Sequence, residues 1–248
     1  MVPTSQQTLR EGLLAPGTGR GLIVFDADDT LWSTEPLYDA ARRACRSIVE
    51  AAGIDGQAWE TLERTIDVKN VARFGLTQER SPTSCQEALL EVGGSSVRPD
   101  TLEAVRRAAQ LVFTQVAPLA TGVPEVLEQL AVEFRLILLT QGDFQVQERR
   151  LRDARLSPVF SGVIVTERKQ IHSFRTVLHE DGRPASAAWS VGNSLPSDIN
   201  PALQIGMNAI WIAAPVWEHE QRESAPFGGH LFEASDLFKA RDLIFAST

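Results

Sequence analysis

An unbroken apolar run, Leu22-Ile23-Val24-Phe25, leads straight into Asp26, Asp28 and Asp29. Such a run reads as a strand buried on both faces, which implies a parallel sheet. Comparable strand-length runs recur at 135–139, 162–165, 187–191 and 208–212, with a last one near 230–232. Helical stretches alternate with them at 124–132, 144–154, 170–179, 196–205 and from 235 onward. Repeated strand–helix units joined by short loops need right-handed crossovers and predict an α/β fold built on a doubly wound parallel sheet. Between residues 34 and 116 the alternation stops. Four helices are expected there, over roughly 36–52, 57–72, 83–92 and 100–116, with Gly53, Gly75 and Gly93-Gly94 as the breaks. Leu102, Val105, Ala109 and Val112 recur at spacings of three and four, giving one buried face. The pattern therefore predicts a core over 21–33 and 117–248, interrupted by an inserted α-helical domain over 34–116. The polar, Gly- and Pro-rich residues 1–20 read as a flexible arm.

Composition narrows the functional classes. A chain of 248 residues with a formal net charge of −8 makes nucleic-acid phosphate an unsuitable general partner. Small phosphorylated ligands stay open, because a bound cation can invert the charge inside a site. Cys45 and Cys85 fall in helical stretches without metal-ligand spacing, and both are expected to be reduced. The apolar runs are strand-length, so no membrane span is expected. The first residues carry neither a basic n-region nor an apolar h-region, and a cytoplasmic protein is expected.

Polar residues collect at the C-terminal ends of four of the expected strands. They are Asp26 and Asp28, then Thr140, then Lys169, then Asn193 and Asp198. Each has an ordinary role open to it as a turn residue, helix cap or solvated charge. In a parallel sheet these ends lie side by side, however, and that is where ligands bind in open α/β folds.

Phe25-Asp26-Ala27-Asp28-Asp29-Thr30-Leu31-Trp32 resembles the first motif, Asp-x-Asp-x-Thr, of the haloacid dehalogenase-like hydrolases. Thr140-Gln141-Gly142 is similar to their second motif and Lys169 to their third, with Arg168 beside it as the other candidate. Gly192-Asn193-Ser194-Leu195-Pro196-Ser197-Asp198 is similar to the fourth. The helical insertion stands where that superfamily carries its type 1 cap.

The resemblance implies a Mg²⁺-dependent phosphatase acting on a small phosphorylated metabolite. Asp26 would be the nucleophile that forms an aspartyl-phosphate, and Asp28 the general acid and base. Crowding of carboxylates would help Asp28 hold a proton. Thr140, with the amides of Gln141 and Gly142, would cradle the phosphoryl oxygens, and Lys169 would neutralise charge. Asp26, Asp198 and the backbone carbonyl of Asp28 would hold the metal. Asn193 stands where the motif usually has a further acid; its amide would accept from a metal-bound water or orient Asp198, but the lost negative charge would weaken metal binding. Asp29 has two roles open, metal support or turn formation, while Trp32 is expected to pack and His219 to lie in a loop. Lys69, Asn70, Arg73, Phe74 and Arg80 are the candidates for substrate selection by a cap. A 2-haloacid dehalogenase, a phosphomutase and a non-catalytic binding protein are the alternatives on the same framework.

Overall fold

The computed structural model describes residues 6–8, 19–213 and 228–247. Most of the expected arm over 1–20, and His219, lie outside the described residues. The chain separates into two compact units, Met1–Ser33 with Pro118–Thr248, and Thr34–Ala117.

In the first unit the strands are β1 (Gln6–Thr8), β2 (Gly21–Phe25), β3 (Phe134–Gln141), β4 (Gly162–Thr166), β5 (Ala188–Gly192), β6 (Asn208–Ile212) and β7 (Leu231–Ala234). They form one sheet in the order β1-β4-β3-β2-β5-β6-β7. Every pairing from β4 across to β7 is parallel. The flexible arm is corrected at one point: β1 pairs antiparallel with β4. The edge of β4 presents unpaired backbone groups, and a short polar segment satisfies them without needing an apolar face.

β2 is central and every residue of it is buried, which explains its unalternated apolar sequence. Leu22 and Val24 pack with Ile137, Leu139 and Ile164 and with Phe174 and Val177 of α7 (Ile171–Asp181) in one cluster. Phe25 meets Phe160 edge-on at 6.4 Å. Full burial of side chains of this size contributes about 1.5–3 kcal/mol each. The remaining helices of this unit are α5 (Val123–Glu133), α6 (Phe144–Asp153), α8 (Asn200–Gln204) and α9 (Leu237–Ser247).

The second unit is helical: α1 (Glu35–Ala51), α2 (Gly56–Phe74), α3 (Arg80–Gly93) and α4 (Pro99–Gln110). α3 begins three residues before its expected start. Pro82 is its third residue, where no N–H is required for an intrahelical bond. α4 stops at Gln110 and a 3₁₀ turn over Leu111–Phe113 follows, where a helix to 116 was expected. Val112 and Phe113 are consecutive and both buried. Cys45, Val49, Trp59, Cys85, Leu89 and Val105 share the core of this unit. Both cysteines are free and buried. Asn70 donates to Ser84 and Glu87, Arg73 pairs with Glu87 and Arg80 with Asp67, so these three candidates are engaged inside the unit. No helix among the described residues is long and apolar enough to cross a membrane.

Candidate active site

The chain leaves β2 at Asp26, whose N–H donates to the Val191 carbonyl of β5 at 2.9 Å. It then turns tightly. The Thr30 and Leu31 amides both donate to the Ala27 carbonyl, and the Asp29 amide donates to that of Trp32 at 2.7 Å. Asp29 takes φ 59°, a left-handed conformation that Asp tolerates better than most residues. Of the two roles open to Asp29, turn formation is the one its backbone displays.

Asp26 is buried, and its two carboxylate oxygens are separately engaged. Oδ2 accepts from the Thr30 hydroxyl at 3.0 Å, and Oδ1 accepts from Lys169 Nζ. The Thr30 hydroxyl also lies 3.3 Å from Asn193 Oδ1. Lys169 Nζ contacts Asp198 Oδ1 as well, so one ammonium joins two carboxylates. Lys169 is buried whereas Arg168 is exposed, which decides between the two candidates for this position. Burial, with Asp198 alongside, pushes Asp26 up to about 7 against the opposing pull of Lys169. Burial opposes charge on Lys169, but Asp198 and Asp26 together hold it above the ordinary lysine range.

Asp198 is fixed from its own loop. Its Oδ2 accepts from the Ser194 amide at 3.0 Å, and its carbonyl accepts from Ser190 Oγ at 2.8 Å. The helical turn Leu195–Ile199 is widened, and the Ile199 amide reaches back five residues to Ser194. Ser194 caps this turn through the Ser197 amide, so capping is not the work of Asp198. Gly192 is required here, since a Cβ would lie 2.3 Å from Asp198 Oδ2. Trp211 Nε1 holds the Asn193 carbonyl at 2.8 Å.

Thr140, on β3, is buried, and its Oγ1 has no hydrogen-bond partner among the described residues. Leu138 is the register partner of Phe25, so Thr140 stands beyond the strand end that carries Asp26. Capping of α6 falls to Asp143, whose carboxylate accepts from the Gln145 and Val146 amides. A buried hydroxyl without a partner is costly, and an anionic oxygen would satisfy it. The Gly142 amide, expected to join Thr140, donates instead to the Thr166 carbonyl at 3.0 Å. Gln141 accepts from the Lys169 amide at 3.2 Å through its side chain and lies 3.4 Å from Ser197 Oγ, linking the second, third and fourth segments.

Asp28 belongs to a second network, and where crowding by carboxylates was expected its oxygens face N–H donors. Arg150 Nη1 reaches both its oxygens, at 3.0 and 2.9 Å, and Gln147 Nε2 donates to Oδ2 at 2.9 Å. Trp32 Nε1 donates to Oδ1 at 2.6 Å, so this buried tryptophan binds as well as packs. Sequence reasoning missed Gln147 and Arg150. Arg150 shares a buried helical stripe with Val146 and Leu151, and a cation on such a stripe was the available signal.

Mg²⁺ requires hard oxygen donors, commonly one or two carboxylates completed by water and phosphate. Asp26 and Asp198 supply two carboxylates close enough to share one ammonium, which suits that demand. No group of three or more His, Cys, Asp or Glu residues suited to a metal occurs among the described residues.

No protein-family model matches this sequence, and no curated protein matches it. Solved structures do. A haloacid dehalogenase-like family hydrolase from Xanthomonas campestris is 24% identical with a TM-score of 0.77, over 93% of this chain and 96% of that one. A putative HAD-hydrolase from Bacillus subtilis, bound to magnesium, is 20% identical with a TM-score of 0.65, over 92% and 99%. An L-2-haloacid dehalogenase from Xanthobacter autotrophicus is 18% identical with a TM-score of 0.61, over 92% and 99%. The fold is that of the haloacid dehalogenase-like hydrolases.

Proposed function

We propose that the protein hydrolyses a small phosphomonoester through an aspartyl-phosphate on Asp26. The observation that carries this reading is a second carboxylate, Asp28, two residues after a nucleophile that Lys169 and Thr30 hold in place. Asp26 attacks phosphorus, the bond to the leaving oxygen breaks, and Asp28 delivers a proton to that oxygen. Asp28 then takes a proton from water as the water attacks the acyl-phosphate, releasing phosphate and restoring Asp26. Thr140 Oγ1 donates to a phosphoryl oxygen, which gives that hydroxyl its missing partner. Lys169 offsets negative charge gathered on Asp26 and the phosphoryl group.

Mg²⁺ fits the carboxylates of Asp26 and Asp198, with the Asp28 carbonyl and, through water, Asn193, and would neutralise phosphoryl oxygens. The substrate is a small phosphorylated metabolite; nucleic acid and membranes are not partners in this reading.

Asn193 favours a second reading. An amide in place of a further acid lowers the negative charge available to a cation, and Lys169 already joins Asp26 to Asp198. Carbon–halogen hydrolysis at Asp26 needs no metal, which makes a 2-haloacid dehalogenase the rival.

Phosphate release from a panel of small esters, measured with Mg²⁺ and with chelator, tests the proposal. Release that Asp26→Asn abolishes is the expected result. Undiminished release by Asp26→Asn, or insensitivity to chelator, would sink the mechanism as stated. Halide release from 2-chloropropionate would favour the rival.

A further inference from the structure

The carboxylate of Asp28 is held by donors from two directions. Gln147 and Arg150 stand three residues apart on α6 and so share a face of that helix. Together they place N–H groups on both oxygens, and the Trp32 indole closes the set from the strand-end turn. The burial is uneven: the Arg150 side chain is 4% exposed and that of Asp28 is 32% exposed. A buried guanidinium needs its counter-ion, whereas the carboxylate keeps about a third of its surface open.

α6 is itself tied to the neighbouring strand end. Gln147 Nε2 lies 3.3 Å from the Gln141 carbonyl, one residue past Thr140, and Asp143 caps the helix. The helix that holds Asp28 is thereby tied to the chain segment that carries Thr140. Asp28 has no hydrogen bond to Lys169 or Asp198, so its orientation depends on this second network.

We propose that Arg150, assisted by Gln147, is a positioning residue that fixes the Asp28 carboxylate in the orientation from which it serves the leaving oxygen. The inference rests on the phosphomonoesterase reading for its consequence, though not for the geometry. A structural tie between α6 and the β2 turn would affect stability alike for all substrates. Positioning affects the two proton transfers that Asp28 serves, and only the first of them, to the leaving oxygen, depends on the ester; misplacement by about 1 Å can cost a rate about 100-fold.

The test uses the full chain with Arg150→Met and Arg150→Lys. Two esters are compared: glycerol 1-phosphate, whose alkoxide needs a proton to leave, and 4-nitrophenyl phosphate, whose phenolate does not. For Arg150→Met, kcat/KM on the alkyl ester, which reports the steps up to departure of the alcohol, should fall about 10- to 100-fold. The aryl ester should lose much less, and Arg150→Lys should recover part of the alkyl rate. Equal losses of kcat/KM on both esters would overturn the proposal.

A second readout is independent of turnover. The indole N–H resonance of Trp32, assigned with Trp32→Phe, should shift in Arg150→Met as Asp28 reorients. An unmoved resonance would also overturn the proposal. Should the wild type release phosphate from neither ester, the phosphatase reading falls and the indole signal still decides the positioning. If Arg150→Met does not fold, Gln147→Leu carries the same measurements.

Discussion

The Thr30 hydroxyl donates to Asp26 Oδ2 at 3.0 Å, across one turn of the loop that leaves β2. Thr30 thus touches Asp26, the proposed nucleophile, directly. Thr30→Val keeps the shape and removes the donor. It should lower kcat about tenfold, the equivalent of one modest hydrogen bond. Steady-state kinetics beside a melting curve check this; an unchanged kcat would assign Thr30 to packing alone.

Lys169 neutralises two buried carboxylates at once. Removing one partner of a buried ion pair costs about 3–5 kcal/mol. Lys169→Met should therefore melt well below the wild type, and adding Asp26→Asn should restore part of the loss. Denaturation of the single and double variants measures the coupling. No recovery in the double variant would contradict the electrostatic account.

Asp143 satisfies two amides at the start of α6. Asp143→Ala should cost about 0.5–2 kcal/mol by chemical denaturation. A neutral substitution would mean that water replaces the cap without penalty.

Within the helical unit, Glu63 is buried 3.2 Å from Arg42 Nε. Burial outweighs the pull of Arg42 and raises its pKa from 4.5 to about 7. A raised carboxylate pKa means that the folded chain holds the proton more tightly than the unfolded one. Its stabilising effect is present below 4.5 and is lost as pH rises to about 7. Melting temperature should decline over that window, and Glu63→Gln should flatten the decline. An identical slope in the variant would remove Glu63 as the cause.

The strands β2 to β6 were legible because burial on both faces forces continuous apolar runs. Asp26, Thr140, Lys169 and Asp198 were legible because parallel strand ends converge. What stayed hidden depended on side-chain reach. Nothing local distinguishes Lys169 from Arg168; only burial does. The Gly142 amide was assigned to a ligand, yet the register with β4 gives it to Thr166. Gln147 and Arg150 read as ordinary polar residues of a helix until α6 is packed on the sheet. β1 was hidden because its residues are polar and its pairing is with an edge.

The sheet order also orders the birth of the site in time. β2 is synthesised early, but its two neighbours, β3 and β5, arrive after the whole helical unit has been made. Lys169 follows Asp26 by 143 positions, and Asp198 by 29 more. At about 5–20 residues per second, a ribosome exposes Asp26 well before the groups that hold it. A chain that ends before Lys169 therefore carries an Asp26 with neither its ammonium nor its second carboxylate, and one that ends before β5 still lacks Asp198.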